Sequence, residues 1–211
     1  MNLTKTALAV GAFLAGTFLF CGCEDSGGGG GGGGDVGDND PSLIICVGDS
    51  ITEGVEGRAP YPPLLATMVG KTTINMGSGG ATTAYGASHI SSQLSRKPGY
   101  VCILYGANDA IQGLSTAAAK ENLRKIVTAC KNAKSIPILA TTPPMIKGHD
   151  IFNGHAEDIN AAIRELAAEE GVRCVDVNRA FGTGEGYLVA DGLHPNAAGA
   201  DLIARSFAGA F

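Results

Sequence analysis

Leu43-Ile44-Ile45-Cys46-Val47-Gly48-Asp49-Ser50 is the stretch on which the fold turns. An unbroken apolar run of this length reads as a strand buried on both faces, as inside a parallel sheet. Gly48 lets the chain turn sharply off that strand, and Asp49-Ser50 opens the loop that follows. Gly-Asp-Ser is also a common turn composition, so alone it says little.

Downstream the pattern repeats. Pro62 to Val69 is helical, with Pro near its start and Gly70 as a stop. Thr72 to Met76 is a second strand, His89 to Leu94 a short helix, and Tyr100 to Tyr105 a third strand. Thr116 to Ala133 is the clearest helix: Ser115 or Thr116 caps it, and Leu123, Ile126, Val127 and Cys130 share one face. Ile136 to Ala140 is a fourth strand that contains Pro137, an unusual residue for an interior strand. His155 to Glu170 is a helix closed by Gly171, Val172 to Val177 a fifth strand, and Asn196 to Ala208 the last helix. Alternating strands and helices predict an α/β three-layer sandwich, with a five-stranded parallel sheet covered on both faces. Sites in such sheets form beyond the carboxyl ends of the strands. Ser50, Gly80 and Asn108 follow the first three strands, and His194 precedes the last helix.

Upstream the sequence changes character. Ala7 to Phe20 is a mostly apolar run of 14 residues, shorter than the roughly 20 a membrane span needs and suited to a secretory signal. It ends in Phe20-Cys21-Gly22-Cys23. A small residue before a Cys resembles the lipobox of bacterial lipoproteins, with Cys23 as the lipidated residue; plain secretion, or cleavage before Cys21, is the alternative. Gly27 to Gly34 is eight consecutive glycines, a flexible coil that buries nothing. The expected organisation is a signal segment over residues 1–23, a linker over 24–41 and one folded domain over 42–211. The expected location is exported from a bacterial cell, either lipid-anchored or periplasmic or secreted.

The net charge is −5, and the basic residues are scattered. Nucleic-acid binding needs a clustered basic face, so it is excluded. Of six cysteines, Cys46, Cys102, Cys130 and Cys174 sit in apolar runs and read as small buried hydrophobes.

Four short strings carry the chemistry. Ser50, in Gly48-Asp49-Ser50, is a candidate nucleophile if a base takes its proton. His194 is one of only four histidines. Asp191 lies three residues before it, close enough in a turn to hold Nδ1 and leave Nε2 as the base. Equally, Pro195 suits a helix start. Gly80, in Gly77-Ser78-Gly79-Gly80, offers a backbone N–H where a Cβ would block approach. Asn108, in Gly106-Ala107-Asn108-Asp109, offers a side-chain amide. With the Ser50 N–H they would make three donors for an oxyanion. A second cluster, His149, Asp150, His155, Glu157 and Asp158, reads as a polar loop and helix start, with metal ligation as the minor alternative.

Taken jointly, these segments resemble the SGNH hydrolases, also called the GDSL family. The resemblance rests on Gly48-Asp49-Ser50, on Asn75 to Thr83, on Gly106 to Asp109 and on Asp191 to Gly199, and it covers essentially residues 42–211. Many members have Ser where Gly79 stands and an acidic residue where Ala81 stands; neither departure removes a catalytic group. The resemblance implies a flavodoxin-like fold and metal-free hydrolysis of esters or thioesters with no cofactor. Ser50, His194 and Asp191 would be its catalytic residues, and Ser50, Gly80 and Asn108 its oxyanion donors. The expected function is an exported serine esterase acting through an acyl-enzyme on a small-molecule or polysaccharide ester. It would contact a membrane only through a lipid anchor. A domain of about 170 residues has little chain left for a lid, and no loop is rich enough in apolar residues for a deep groove. Short acyl groups are therefore expected, with acetylated carbohydrate the leading candidate. The alternatives are a lysophospholipase- or thioesterase-like lipid hydrolase, and a non-catalytic binding module on the same fold.

Overall fold

The computed structural model describes residues 34–54 and 60–211. The expected signal segment, Cys23 and glycines 27–33 lie outside the described residues. The chain runs β1 (Asp40–Gly48), α1 (Ser50–Glu53), α2 (Tyr61–Val69), β2 (Thr72–Gly77), α3 (Thr83–Leu94), β3 (Pro98–Leu104), α4 (Ala107–Ile111) and α5 (Thr116–Asn132). It continues with β4 (Ile136–Ala140), a 3₁₀ turn (Asp150–Phe152), α6 (Asn153–Glu170), β5 (Arg173–Val175), α7 (Val177–Phe181) and α8 (Ala197–Ala208).

The five strands form one sheet in the order β2-β1-β3-β4-β5, and every pairing is parallel. This is the flavodoxin-like order, whose switch point lies between β1 and β3. Ile44 to Val47 and Val101 to Leu104 are at most 1% exposed, as continuous apolar runs require of strands covered on both faces. Helices α2 and α8 pack together, as do α3 with α5 and α5 with α6, so helices flank the sheet. Tyr61 of α2 stacks on Phe207 of α8 with ring centroids 5.4 Å apart; truncating such a buried aromatic to Ala costs about 3–5 kcal/mol.

Pro137 is tolerated for a geometric reason. β5 begins pairing one residue later, at Ile138↔Arg173, so on that side Pro137 has no strand to bond. All four domain cysteines are buried. The charges of α5 and α6 are spent on each other: Lys120, Arg124 and Lys131 pair with Glu165, Glu169 and Glu170.

The edges of several elements differ from expectation. β1 starts at Asp40 rather than Leu43. Asn39 donates to the Ala133 carbonyl at 2.7 Å, and Asp40 N–H to Lys97 O at 2.9 Å, so the last linker residues dock on the domain. α3 begins at Thr83, six residues before His89. β5 stops at Val175 because Asp176 turns to cap α7, accepting from Arg179 N–H at 3.1 Å.

Candidate active site

Ser50 follows β1 as the first residue of α1, where Asp49 is the N-cap and accepts the Ile51 N–H at 2.9 Å. Gly48 is required for a reason the sequence does not show. Its φ is not positive; instead, a Cβ there would collide with the Thr52 hydroxyl and stand 2.6 Å from the Leu104 carbonyl oxygen. The last residue of β1 thus has neighbours pressed against it from α1 and β3.

His194 and Asp191 sit in a loop closed by an antiparallel bridge, Leu188↔Pro195. The Ser50 hydroxyl oxygen lies 2.9 Å from His194 Nε2, and Asp191 Oδ2 lies 2.9 Å from His194 Nδ1. Asp191 Oδ1 accepts the N–H groups of Leu193 (2.9 Å) and His194 (3.0 Å). Partial burial alone would raise the Asp191 carboxyl. The two backbone donors and the His194 ring outweigh it and hold the group well below the usual carboxylate range. A helix does start just after this segment, but Pro195 stands outside it: Asn196 caps α8 by accepting Gly199 N–H at 3.0 Å.

The two donor loops are stitched to this row. Ser78 N–H donates to Gly48 O at 3.0 Å, fixing the β2–α3 loop to the end of β1. Asn108 Nδ2 donates one hydrogen to Ala81 O at 3.0 Å, which leaves its second hydrogen for a ligand. Glycine at position 80 is explained by conformation, not space. Its φ is +73°, and a Cβ would meet no protein atom within 4 Å. Asn75 steadies α1 by donating to the carbonyls of Thr52 (2.8 Å) and Glu53 (3.1 Å).

Two neighbours of the site, Asp109 and Asp49, carry no role in the sequence reading, and a third, His149, belongs there to the polar cluster. Asp109 is 1% exposed and accepts both the backbone N–H (2.9 Å) and the hydroxyl (2.5 Å) of Thr83, joining α4 to the start of α3. Asp49 is also 1% exposed, and its Oδ2 has no hydrogen-bond partner. Burial, with the nearby Asp109 charge adding to it, pushes the Asp49 carboxyl up to about 7. His149 bonds the backbone of Asp191. The other residues of its cluster disperse: Asp150 accepts Gly148 N–H, Glu157 pairs with Arg164, and Asp158 is exposed. Among the described residues, no group of three or more His, Cys, Asp or Glu side chains is arranged to hold a metal ion. Nor is any described helix long and apolar enough to cross a membrane.

A parallel sheet with a Ser–His–Asp row and amide donors at the carboxyl ends of its central strands is an architecture of ester hydrolases. The chain belongs to the GDSL-like lipase/acylhydrolase family, whose family model matches residues 46–202. Among solved structures, the lipase/acylhydrolase from Enterococcus faecalis is 28% identical with a TM-score of 0.69, covering 79% of this chain and 93% of its own. LAE5, an α/β hydrolase enzyme from the metagenome of Lake Arreo, is 24% identical with a TM-score of 0.71, covering 82% and 95%. The acetylxylan esterase Axe2 from Geobacillus stearothermophilus is 22% identical with a TM-score of 0.68, covering 80% and 93%. No curated protein matches the chain.

Proposed function

We propose that the protein is an exported serine esterase that hydrolyses short-chain carboxylic esters through an acyl-enzyme. The observation that carries this reading is the continuous row from the Ser50 hydroxyl through both ring nitrogens of His194 to Asp191, with both links at 2.9 Å. Asp191 holds the proton on Nδ1, so Nε2 accepts the proton of Ser50. The Ser50 oxygen adds to the ester carbonyl carbon. The carbonyl oxygen becomes an oxyanion that takes hydrogen bonds from the N–H groups of Ser50 and Gly80 and from Asn108 Nδ2. His194 then gives its proton to the departing alcohol. A water molecule repeats the sequence on the acyl-enzyme, releasing the acid and restoring Ser50.

For the substrate, the proposal is an acetyl or similarly short acyl group, with acetylated carbohydrate as the leading class. The chain has no Trp, and Met68, Tyr85, Leu114, Ile151 and Phe211 are the large apolar side chains exposed among the described residues. They come from five separate parts of the chain rather than from one apolar loop, while each CH₂ of a long acyl chain needs apolar cover worth about 0.8 kcal/mol. An acetylxylan esterase shares the fold and gives this substrate class a precedent. Anchoring through Cys23 completes the proposal. Replacing Cys23 should release the domain from the membrane fraction, and a wild-type protein recovered freely soluble would show simple secretion.

The test is kcat/KM over acetyl, butyryl, octanoyl and palmitoyl esters, with Ser50→Ala as the control. Turnover should be highest for the short esters and should vanish in Ser50→Ala, together with labelling by a fluorophosphonate. A steep rise toward palmitoyl would replace the short-acyl reading with a lipid hydrolase. Lack of turnover and labelling in the wild type would favour a non-catalytic module.

A further inference from the structure

His149 closes the loop between β4 and the 3₁₀ turn, and its ring Nδ1 lies 2.9 Å from the backbone carbonyl oxygen of Asp191. A carbonyl only accepts, so in this bond Nδ1 carries the proton. The next carbonyl, that of Gly192, accepts Ile146 N–H at 2.8 Å. One loop therefore grips two consecutive carbonyls of the other. The grip is close: Gly192 has φ +72°, and a Cβ on it would collide with the Ile146 carbonyl. The gripping loop is itself braced, with His149 N–H donating to Ile146 O at 3.2 Å and Phe152 N–H to His149 O at 3.0 Å. The Phe152 ring lies beside the imidazole with centroids 6.3 Å apart.

Within its own loop the Asp191 carboxylate accepts the Leu193 and His194 N–H groups, and the 191–192 peptide donates its Gly192 N–H to Val189 O at 3.0 Å. His149 adds a hold on the carbonyl end of that peptide from a different loop. We propose that His149 is a positioning residue for the Ser50–His194–Asp191 row, holding Asp191 by its main-chain carbonyl. This rests on the serine-esterase reading above. His149 acts through Asp191 alone, and its Nε2 has no part in the contact.

That geometry sets a specific test in the full-length chain. An Asn side chain places its amide nitrogen where His has Nδ1, whereas Gln places it one bond farther out. His149→Ala and His149→Gln should lower kcat by roughly tenfold with KM within about twofold, since misplacement of a catalytic group costs up to about 10² in rate. His149→Asn should recover to within about threefold of wild type. Equal losses in the Asn and Gln variants would overturn the proposal, and so would a loss confined to KM, which would put the ring against substrate. If His149→Ala does not fold, Asn against Gln decides alone: an active Asn variant beside an impaired Gln variant supports it, and equal activities reject it. Ser50→Ala separates the two readings. Turnover surviving in Ser50→Ala removes the serine-esterase reading. Its loss there, beside wild-type activity in all three His149 variants, removes only the positioning role.

Discussion

Replacing Asp49 by Asn tests the electrostatics beneath the nucleophile. The wild-type carboxyl is buried, one oxygen accepts Ile51 N–H, and the other has no partner. Its rise from 3.8 to about 7, at about 1.4 kcal/mol per pH unit, corresponds to about 4 kcal/mol. In this window the folded protein keeps the Asp49 proton and the unfolded chain has lost it. Folding therefore takes up a proton, and stability falls as pH rises from about 4 to about 7. Below that range both states are protonated, and above it both are ionised, so the loss levels off. Asn retains the acceptor for Ile51 and cannot ionise. It leaves a buried amide without a partner, at a cost of about 1–3 kcal/mol that does not depend on pH. Urea unfolding of both proteins from about pH 4 to pH 8 should thus show their stability difference shifting by up to about 4 kcal/mol in favour of Asp49→Asn. A difference that stays constant across that range would refute the argument, because Asp49 would then titrate as an ordinary exposed carboxyl.

Asn108→Ala should lower kcat by about 10²–10³-fold with a smaller effect on KM, because the donor acts on charge that develops during reaction; a large KM change with kcat intact would assign Asn108 to ground-state binding. Gly192→Ala should reduce both melting temperature and kcat, since it combines a left-handed φ with a collision against the Ile146 carbonyl, and an unchanged enzyme would show that the two loops are not clasped. Asp191 has the opposite linkage from Asp49. Its lowered folded-state value makes it stabilising above about pH 4, and that contribution is lost as pH falls further; Asp191→Asn should therefore flatten acid unfolding in that region, followed by circular dichroism.

The strands were legible because a continuous apolar run is a local signal, and β1 to β4 lie within about three residues of where the runs place them. The candidate site was legible for a related reason: a serine, a histidine with a nearby carboxylate and an amide are recognisable by residue type at a few positions beside strand ends and before the last helix. What failed was local reading of segments whose partners are distant in the chain. The first turn and a half of α3, Thr83 to Ser88, holds one glycine and no large aliphatic side chain, so it shows no helical periodicity. Yet Asp109 of α4 accepts the first N–H of this helix, and a Cβ at Gly86 would stand 2.7 Å from the Tyr105 ring. Crowding, rather than a turn, explains Gly48, and Gly80 has a positive φ that the local sequence does not announce. By itself, then, the sequence determined the layer architecture and the chemical inventory, since periodicity and residue type need no knowledge of neighbours. The tertiary structure alone decided that Asp49 is buried with an unpartnered oxygen, and that His149 meets the carbonyl of Asp191 across 42 residues. Both depend on neighbours far away in the chain: Asp109 beside Asp49, and the loop of Asp191 against His149.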